Sequence, residues 1–166
     1  MTYPEFRGQA LAEVAGVLAA SDPQRALRMV SEAEQAATNG SLFSRALVLV
    51  SVVKVAAGLD PEAADQMAQQ IDDQTAQEEA LIAVARAFAG SNLVRAEQIA
   101  RSITRPDGRA QALSEVADEV GLPAANHLLA PAFALGSWLP PLWAMAKHHP
   151  QEADRIARTL YPDDRR

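Results

Sequence analysis

An apolar pattern of helical period recurs along this chain in pairs, and it is clearest in residues 81–103. Apolar residues there recur at i, i+3, i+4 and i+7, the spacing that places side chains on one face of a helix. They are Leu81, Val84, Ala85 and Phe88 in the first segment, and Ala96, Ile99, Ala100 and Ile103 in the second. Gly90, Ser91 and Asn92 separate the segments. We expect Gly90 to end the first helix at positive φ and the polar pair to cap the second, which predicts a helical hairpin.

Five such units can be aligned along the chain. Their second helices begin at residues 23, 61, 93, 123 and 150, with spacings of 38, 32, 30 and 27, and four of the five begin with proline. Proline suits the first helical position, where its missing N–H would have had no intrahelical partner. Asp22 and Asp60 precede two of these prolines as expected N-caps. A period near 32 residues is typical of two-helix repeats.

The first helices share a matching apolar face that begins at a leucine, called here the anchoring leucine: Leu11, Leu49, Leu81, Leu113 and Leu142. Ten helices are therefore predicted, over residues 5–20, 22–37, 42–57, 60–72, 76–89, 92–104, 106–120, 122–135, 138–148 and 150–160. One hairpin is too small to bury its own apolar face, so neighbours must stack. The sequence predicts a single all-α domain over residues 1–166, a right-handed superhelix of about five antiparallel hairpins.

Composition narrows the possible functions. A net charge of −6 and a pI near 5.0 argue against nucleic acid or an anionic membrane as the main partner. With no cysteine, disulfides, thiolate metal sites and cysteine nucleophiles are excluded. The longest apolar run, residues 46–57, is interrupted by Ser51 and Lys54 and is too short to span a membrane. The N-terminal residues lack a signal-peptide pattern, so the expected location is the cytoplasm.

Two sequence motifs of the repeat resemble those of a known class of protein. They are Ala-Leu-x-x-Val-Ala in first helices and Asp-Pro-x-x-Ala-x-x-Met-Ala in the helix that begins at Pro61. The chain resembles an α-solenoid of the tetratricopeptide or HEAT-like kind. The sequence of its repeats resembles alanine-rich repeat regions of actinobacterial signalling and defence proteins. The resemblance implies an interaction surface.

Residues that could carry catalysis are sparse and poorly placed. Adjacent His148 and His149 point about 100° apart on a helix and cannot both bind one ion, and His127 is expected at the surface. The carboxylate pairs lie at helix ends or in the tail, and Glu78 is interpreted as part of a capping box with Thr75. Phosphate-binding, dinucleotide-binding and nucleophile motifs do not occur. We therefore expect a non-enzymatic protein without metal or cofactor.

Two departures from the repeat are informative. Asn126 replaces the core-facing alanine of the eighth helix, and Pro131 is expected to kink that helix. The kink is interpreted as a bend of the solenoid before its last repeat, and the alternative is that it opens a groove. Trp138 and Trp143 lie in the last hairpin, where they either cover the open end of the core, which position favours, or anchor a partner.

The exposed positions of the first helices form the candidate recognition surface. They lie two and five residues after each anchoring leucine and include Glu13, Lys54, Arg86, Glu115, Asp118, Ala144 and Lys147. In stacked hairpins these helices line the concave side. The charges are mixed, which favours a polypeptide partner that binds this stripe. Trp138 and Trp143 are counted among the residues expected to contact that partner. The alternative is a small-molecule or peptide sensor with its groove near Asn126 and Pro131, and the oligomeric state stays open.

Overall fold

The computed structural model describes residues 4–37, 42–121 and 126–160, with side chains from residue 6 onward and without those of 42–44. This part of the chain is 85% helical and contains no strand, which confirms the all-α class. The helices are α1 Pro4–Leu18, α2 Pro23–Ala37, α3 Leu42–Leu59, α4 Pro61–Gln69, α5 Gln74–Ala89, α6 Leu93–Ser102, α7 Pro106–Val120, α8 Asn126–Ala134, α9 Leu139–His148 and α10 Pro150–Leu160. The predicted number and order of helices agree with the structure within these ranges.

The chain divides into two compact units, Met1–Ala87 and Phe88–Arg166. In the first unit α1 contacts both α2 and α3, and α3 contacts α4. In the second unit α7 contacts α6, α8 and α9, and α9 contacts α10. Within each unit a first helix therefore packs on its own second helix and also on the next first helix, as stacked hairpins require. The single domain and the superhelix stay predictions.

Small residues let the helices of the first unit approach closely. Its core cluster contains Ala12, Ala15, Ala26, Val30, Ala33, Ala37, Val48 and Val52. A Cβ atom added at Gly8 would lie 3.1 Å from Cγ1 of Val48 and 3.3 Å from the carbonyl oxygen of Ala33. Three helices thus meet at one glycine of α1, and a longer side chain there would push them apart.

The helix starts follow the predicted capping chemistry, with one exception. The carboxylates of Asp22 and Asp60 accept hydrogen bonds from the backbone N–H three residues on, at 3.0 and 3.1 Å, as predicted. The predicted capping box of Thr75 and Glu78 is wrong. Asp73 caps α5 instead, since its carboxylate accepts from the N–H of Ala76 at 2.8 Å. The helix begins two residues earlier than predicted, which places Thr75 inside it.

The prediction that Gly90 ends α5 at positive φ is also wrong. Among the described residues positive φ occurs at Gly121 and Gly136. After α5 the N–H groups of Ser91 and Asn92 both donate to the carbonyl oxygen of Phe88, at 3.0 and 2.6 Å. This tight turn leads directly into Asn92, which caps α6 as predicted, so no left-handed residue is needed.

The predicted core faces hold in the middle of the chain and shift near its C-terminus. All eight residues named above for 81–103 are buried. In α8, however, Asn126 is exposed and the buried side chains are Leu128, Leu129 and Ala132. The expected kink at Pro131 stays a prediction, and α8 continues through that residue. In α9 the repeat pattern places Ala146, four residues after the anchoring leucine, in the core, but it is exposed. Ala144, predicted to be exposed, is buried.

These assignments yield a matched pair of substitutions. Ala100→Leu places three extra carbons at a fully buried position, so we expect the free energy of unfolding to fall by about 1–3 kcal/mol. Ala146→Leu makes the same change at an exposed position and should cost less than about 0.5 kcal/mol. Urea denaturation followed by circular dichroism measures both. Equal losses would show that the two alanines occupy equivalent environments.

Capping provides a second pair at neighbouring residues. Asp73→Ala removes the N-cap of α5 and should lower the free energy of unfolding by about 0.5–2 kcal/mol. Asp72→Ala changes an exposed carboxylate outside the helix and should have little effect. The same urea titration applies. A larger loss at Asp72 would contradict the observed helix start.

Candidate functional site: a groove between α7 and α9

The predicted recognition stripe divides between the two units. In the first unit Glu13 is exposed and accepts a hydrogen bond from Nε2 of Gln9 at 3.3 Å. Lys54 is not a free charge, because its Nζ lies 2.5 Å from Oε1 of Glu79. Arg86 is exposed on α5. In the second unit the stripe residues of α7 and α9 come together at one surface groove.

The groove has a volume of about 430 Å³ and lies between facing stripes of the two helices. Its α7 side carries Gln111, Ser114, Glu115 and Asp118, and its α9 side carries Leu139, Pro140, Trp143, Ala144 and Lys147. Each set recurs every three or four residues, so it follows one face of its helix. Five residues of the predicted partner surface therefore line one site: Glu115, Asp118, Trp143, Ala144 and Lys147.

The α9 wall is apolar and open to solvent. Trp143 is 75% exposed and Leu139 is 62% exposed, although both are large apolar side chains. The expectation that Trp143 covers the end of the core is therefore wrong. Pro141 and Leu142 are the buried residues of this helix turn, and they leave the indole on the outer face. Trp138 is 38% exposed at the N-cap position of α9 and is not part of the groove lining.

The α7 wall is polar and carries negative charge. The hydroxyl of Ser114 donates to the carbonyl oxygen of Ala110 at 2.6 Å, so its proton is already used within the helix. The carboxylate of Glu115 accepts a hydrogen bond from the amide of Gln111 at 3.0 Å. Within the described residues no cation pairs with Glu115. It is therefore the uncompensated charge of the wall.

An ionic cluster joins the two helices through Asp118 and Lys147, which both line the groove. The Nζ of Lys147 forms an ion pair with Oδ2 of Asp118, and Nε2 of His148 lies 3.6 Å from Oδ1 of the same carboxylate. Sequence reasoning placed Asp118 and Lys147 on one stripe but missed their pairing. Both lie five residues after their anchoring leucine, and that equivalence is the signal that could have revealed it.

A second ionic cluster of the second unit lies outside the groove. Glu97 on α6 contacts Arg101 at 2.5 Å and His127 at 3.6 Å. Over the described ranges no group of three or more histidine, aspartate or glutamate side chains is arranged to hold a metal ion. None of the helices described here combines the length and apolar character needed to cross a membrane.

The chain matches no protein-family model, no curated protein and no solved structure.

The Lys54 to Glu79 pair joins α3 to α5 and can be tested by charge reversal. Lys54→Glu places two carboxylates together and should lower the free energy of unfolding, by at most about 1 kcal/mol because both side chains are about half exposed. Adding Glu79→Lys should restore it. Thermal melts of the three proteins at low and high salt measure the effect, which salt should weaken. A loss that the second reversal does not repair would mean that this contact does not form in solution.

Proposed function

We propose that this protein is a non-enzymatic interaction module that binds a polypeptide segment in the groove between α7 and α9. The observation that carries the proposal is the indole of Trp143, 75% exposed on the apolar wall of a groove whose opposite wall is acidic. Tryptophan is enriched among the residues that dominate binding energy at protein interfaces. An exposed tryptophan beside an exposed leucine also lowers the solubility of a protein, and such apolar patches are typical of interaction sites.

The openness of the groove favours a polypeptide over a small molecule. Small-molecule sites bury most of the ligand surface in a concave pocket. Here Leu139 and Trp143 keep more than half of their surface in contact with solvent, so the α9 wall is shallow. A peptide can bind with one side against the protein and the other side in solvent. The stripe of α9 from Leu139 to Lys147 offers about two helical turns along which it can lie.

The charges of the groove define the chemistry of the partner. Asp118 is already neutralised by Lys147, whereas Glu115 has no cationic partner in the described chain. A lysine or arginine of the partner would supply that charge and could also contact the face of Trp143. Leu139 and the indole would receive an adjacent apolar side chain. The partner is thus a segment that presents a large apolar residue next to a basic one.

The proposal includes the type of helical repeat. Contacts of α1 with α2 and α3, and of α7 with α8 and α9, support stacked hairpins of the tetratricopeptide or HEAT-like kind. The resemblance to actinobacterial signalling and defence proteins and the cytoplasmic location stay predictions. So does the sensor alternative, and the exposed position of Asn126 gives its groove no support.

Selection from a phage-displayed library of random peptides tests this function. Peptides retained on the wild-type protein should be enriched in a large apolar residue adjacent to arginine or lysine. Trp143→Ala should weaken their binding by about 2 kcal/mol or more, as removal of a central anchor does. Glu115→Gln should weaken binding and reduce its salt dependence, because it removes the charge but keeps the shape. Fluorescence polarisation with labelled peptides measures both.

Trp138→Ala provides the matched control, since it removes the other tryptophan, which does not line the groove. Its peptide affinity should equal that of the wild type. The proposal fails if the library yields no peptide, or if Trp143→Ala and Trp138→Ala bind the selected peptides equally.

A further inference from the structure

The side chains that line the groove lie at matching levels on its two helices. Residues 111, 114, 115 and 118 of α7 correspond to 140, 143, 144 and 147 of α9 at a constant separation of 29. The ion pair between Asp118 and Lys147 has this separation and fixes the alignment. At this register Glu115 lies across the groove from the small residue Ala144, next to the level of Trp143.

The α9 wall of the groove is a row of side chains spaced four residues apart. Leu139, Trp143 and Lys147 form this row, and each lies about 6 Å along the helix axis from the next. Glu115 follows Gln111 at the same spacing on the α7 wall. Helices pack by fitting a row of this kind into the groove between two others. The space between α7 and α9 therefore has the form that a row of side chains from a third helix would fill.

The α9 wall offers few hydrogen-bonding groups to a bound chain. Away from the helix ends, the backbone N–H and C=O groups of both walls bond within their own helix. Among the five lining residues of α9, only Trp143 and Lys147 carry a side-chain donor, and none carries a side-chain acceptor. The ammonium group of Lys147 is already paired with Asp118. The N–H groups of an extended peptide would therefore find no side-chain acceptor along this wall.

The polar groups of the α7 wall are largely engaged within that helix. The hydroxyl of Ser114 donates to the carbonyl oxygen of Ala110 at 2.6 Å, and the amide of Gln111 donates to Glu115 at 3.0 Å. An extended peptide would have to leave backbone groups unpaired against the groove, or stay far enough away for water to bond them. Either arrangement weakens binding. A helical segment bonds its backbone groups internally and avoids this loss.

We propose that the partner segment binds this groove as an amphipathic α-helix. The proposal rests on the proposed function of the groove and adds the conformation of the partner and the spacing of its contact residues. The helix places two large apolar residues, about one helical turn apart, against Leu139 and Trp143. A lysine or arginine beside the second of them pairs with Glu115 across the groove. The remaining face of the partner helix stays in solvent.

The spacing of residues in selected peptides tests this conformation. Peptides retained from the phage-displayed library should repeat the large apolar residue at i and i+3 or i+4. An extended partner would repeat it at i and i+2, because side chains alternate along a strand. Selection on Leu139→Ala, which shortens the apolar row, should relax the preference at one of the two positions. Selection on Val94→Ala is the matched control and should keep both, since Val94 is exposed on α6 outside the groove.

Proline substitution in one selected peptide provides a second test, measured by fluorescence polarisation with the wild-type protein. Proline at a central, solvent-facing position breaks a helix, so the affinity should fall by about a hundredfold or more. Alanine at the same position should leave the affinity unchanged or raise it. Proline at the first residue should be tolerated, because the first helical N–H has no intrahelical partner. An extended peptide would tolerate proline at either solvent-facing position.

The Cα chemical shifts of the same peptide, isotope-labelled, report its bound conformation directly. They should move to helical values when wild-type protein is added, and Trp143→Ala at the same concentration should leave them close to those of the free peptide. Peptides that require Trp143 but show alternating spacing, tolerance of the central proline or extended shifts would overturn the helical partner and leave the interaction module standing. A library that yields no peptide dependent on Trp143 would refute both.

Discussion

The structure depends on one constraint, which is that a two-helix hairpin cannot bury its own apolar faces. Each first helix must therefore find a second apolar neighbour, and α1 and α7 both find it in the next first helix. The contact is close because the facing residues are small. Gly8, Ala12 and Ala15 of α1 are buried, and the valines of α3 lie directly against them. Dispersion attraction between closely packed side chains accumulates over many weak contacts. A larger side chain at this contact would therefore lower the stability of the fold.

That constraint also explains where the molecule departs from its own pattern. In α1 and α7 the residues three before and one after the anchoring leucine are small and buried: Gly8, Ala12, Ala110 and Ser114. In α9 they become Leu139 and Trp143, which are exposed and leave an open apolar wall beside α7. In α1 the residues one before and three after the anchoring leucine, Ala10 and Val14, are exposed instead. The binding groove lies where the enlarged side chains of α9 interrupt the close stacking.

Charged residues modify this packing but contribute little to its stability. Asp73 caps a helix, Glu79 joins α5 to Lys54 of α3, and Asp118 joins α7 to Lys147 of α9. Exposed ion pairs of this kind contribute at most about 1 kcal/mol each, much less than the apolar burial of one helix. Their effect is to fix how neighbouring first helices align and to set which charges stay available. By pairing with Asp118, Lys147 leaves Glu115 as the unneutralised carboxylate of the groove.

The sequence alone determined the helices, because their period, prolines and capping residues act within a few residues of one another. It also identified the core faces from Leu81 to Ile103, where the spacing is regular. Only the tertiary structure decided which helix faces meet. Trp143 belongs to the groove and not to the core, and Lys54 is paired with a glutamate 25 residues away. Local spacing carries no information about such partners, since burial and ion pairing depend on what a neighbouring helix brings to the contact.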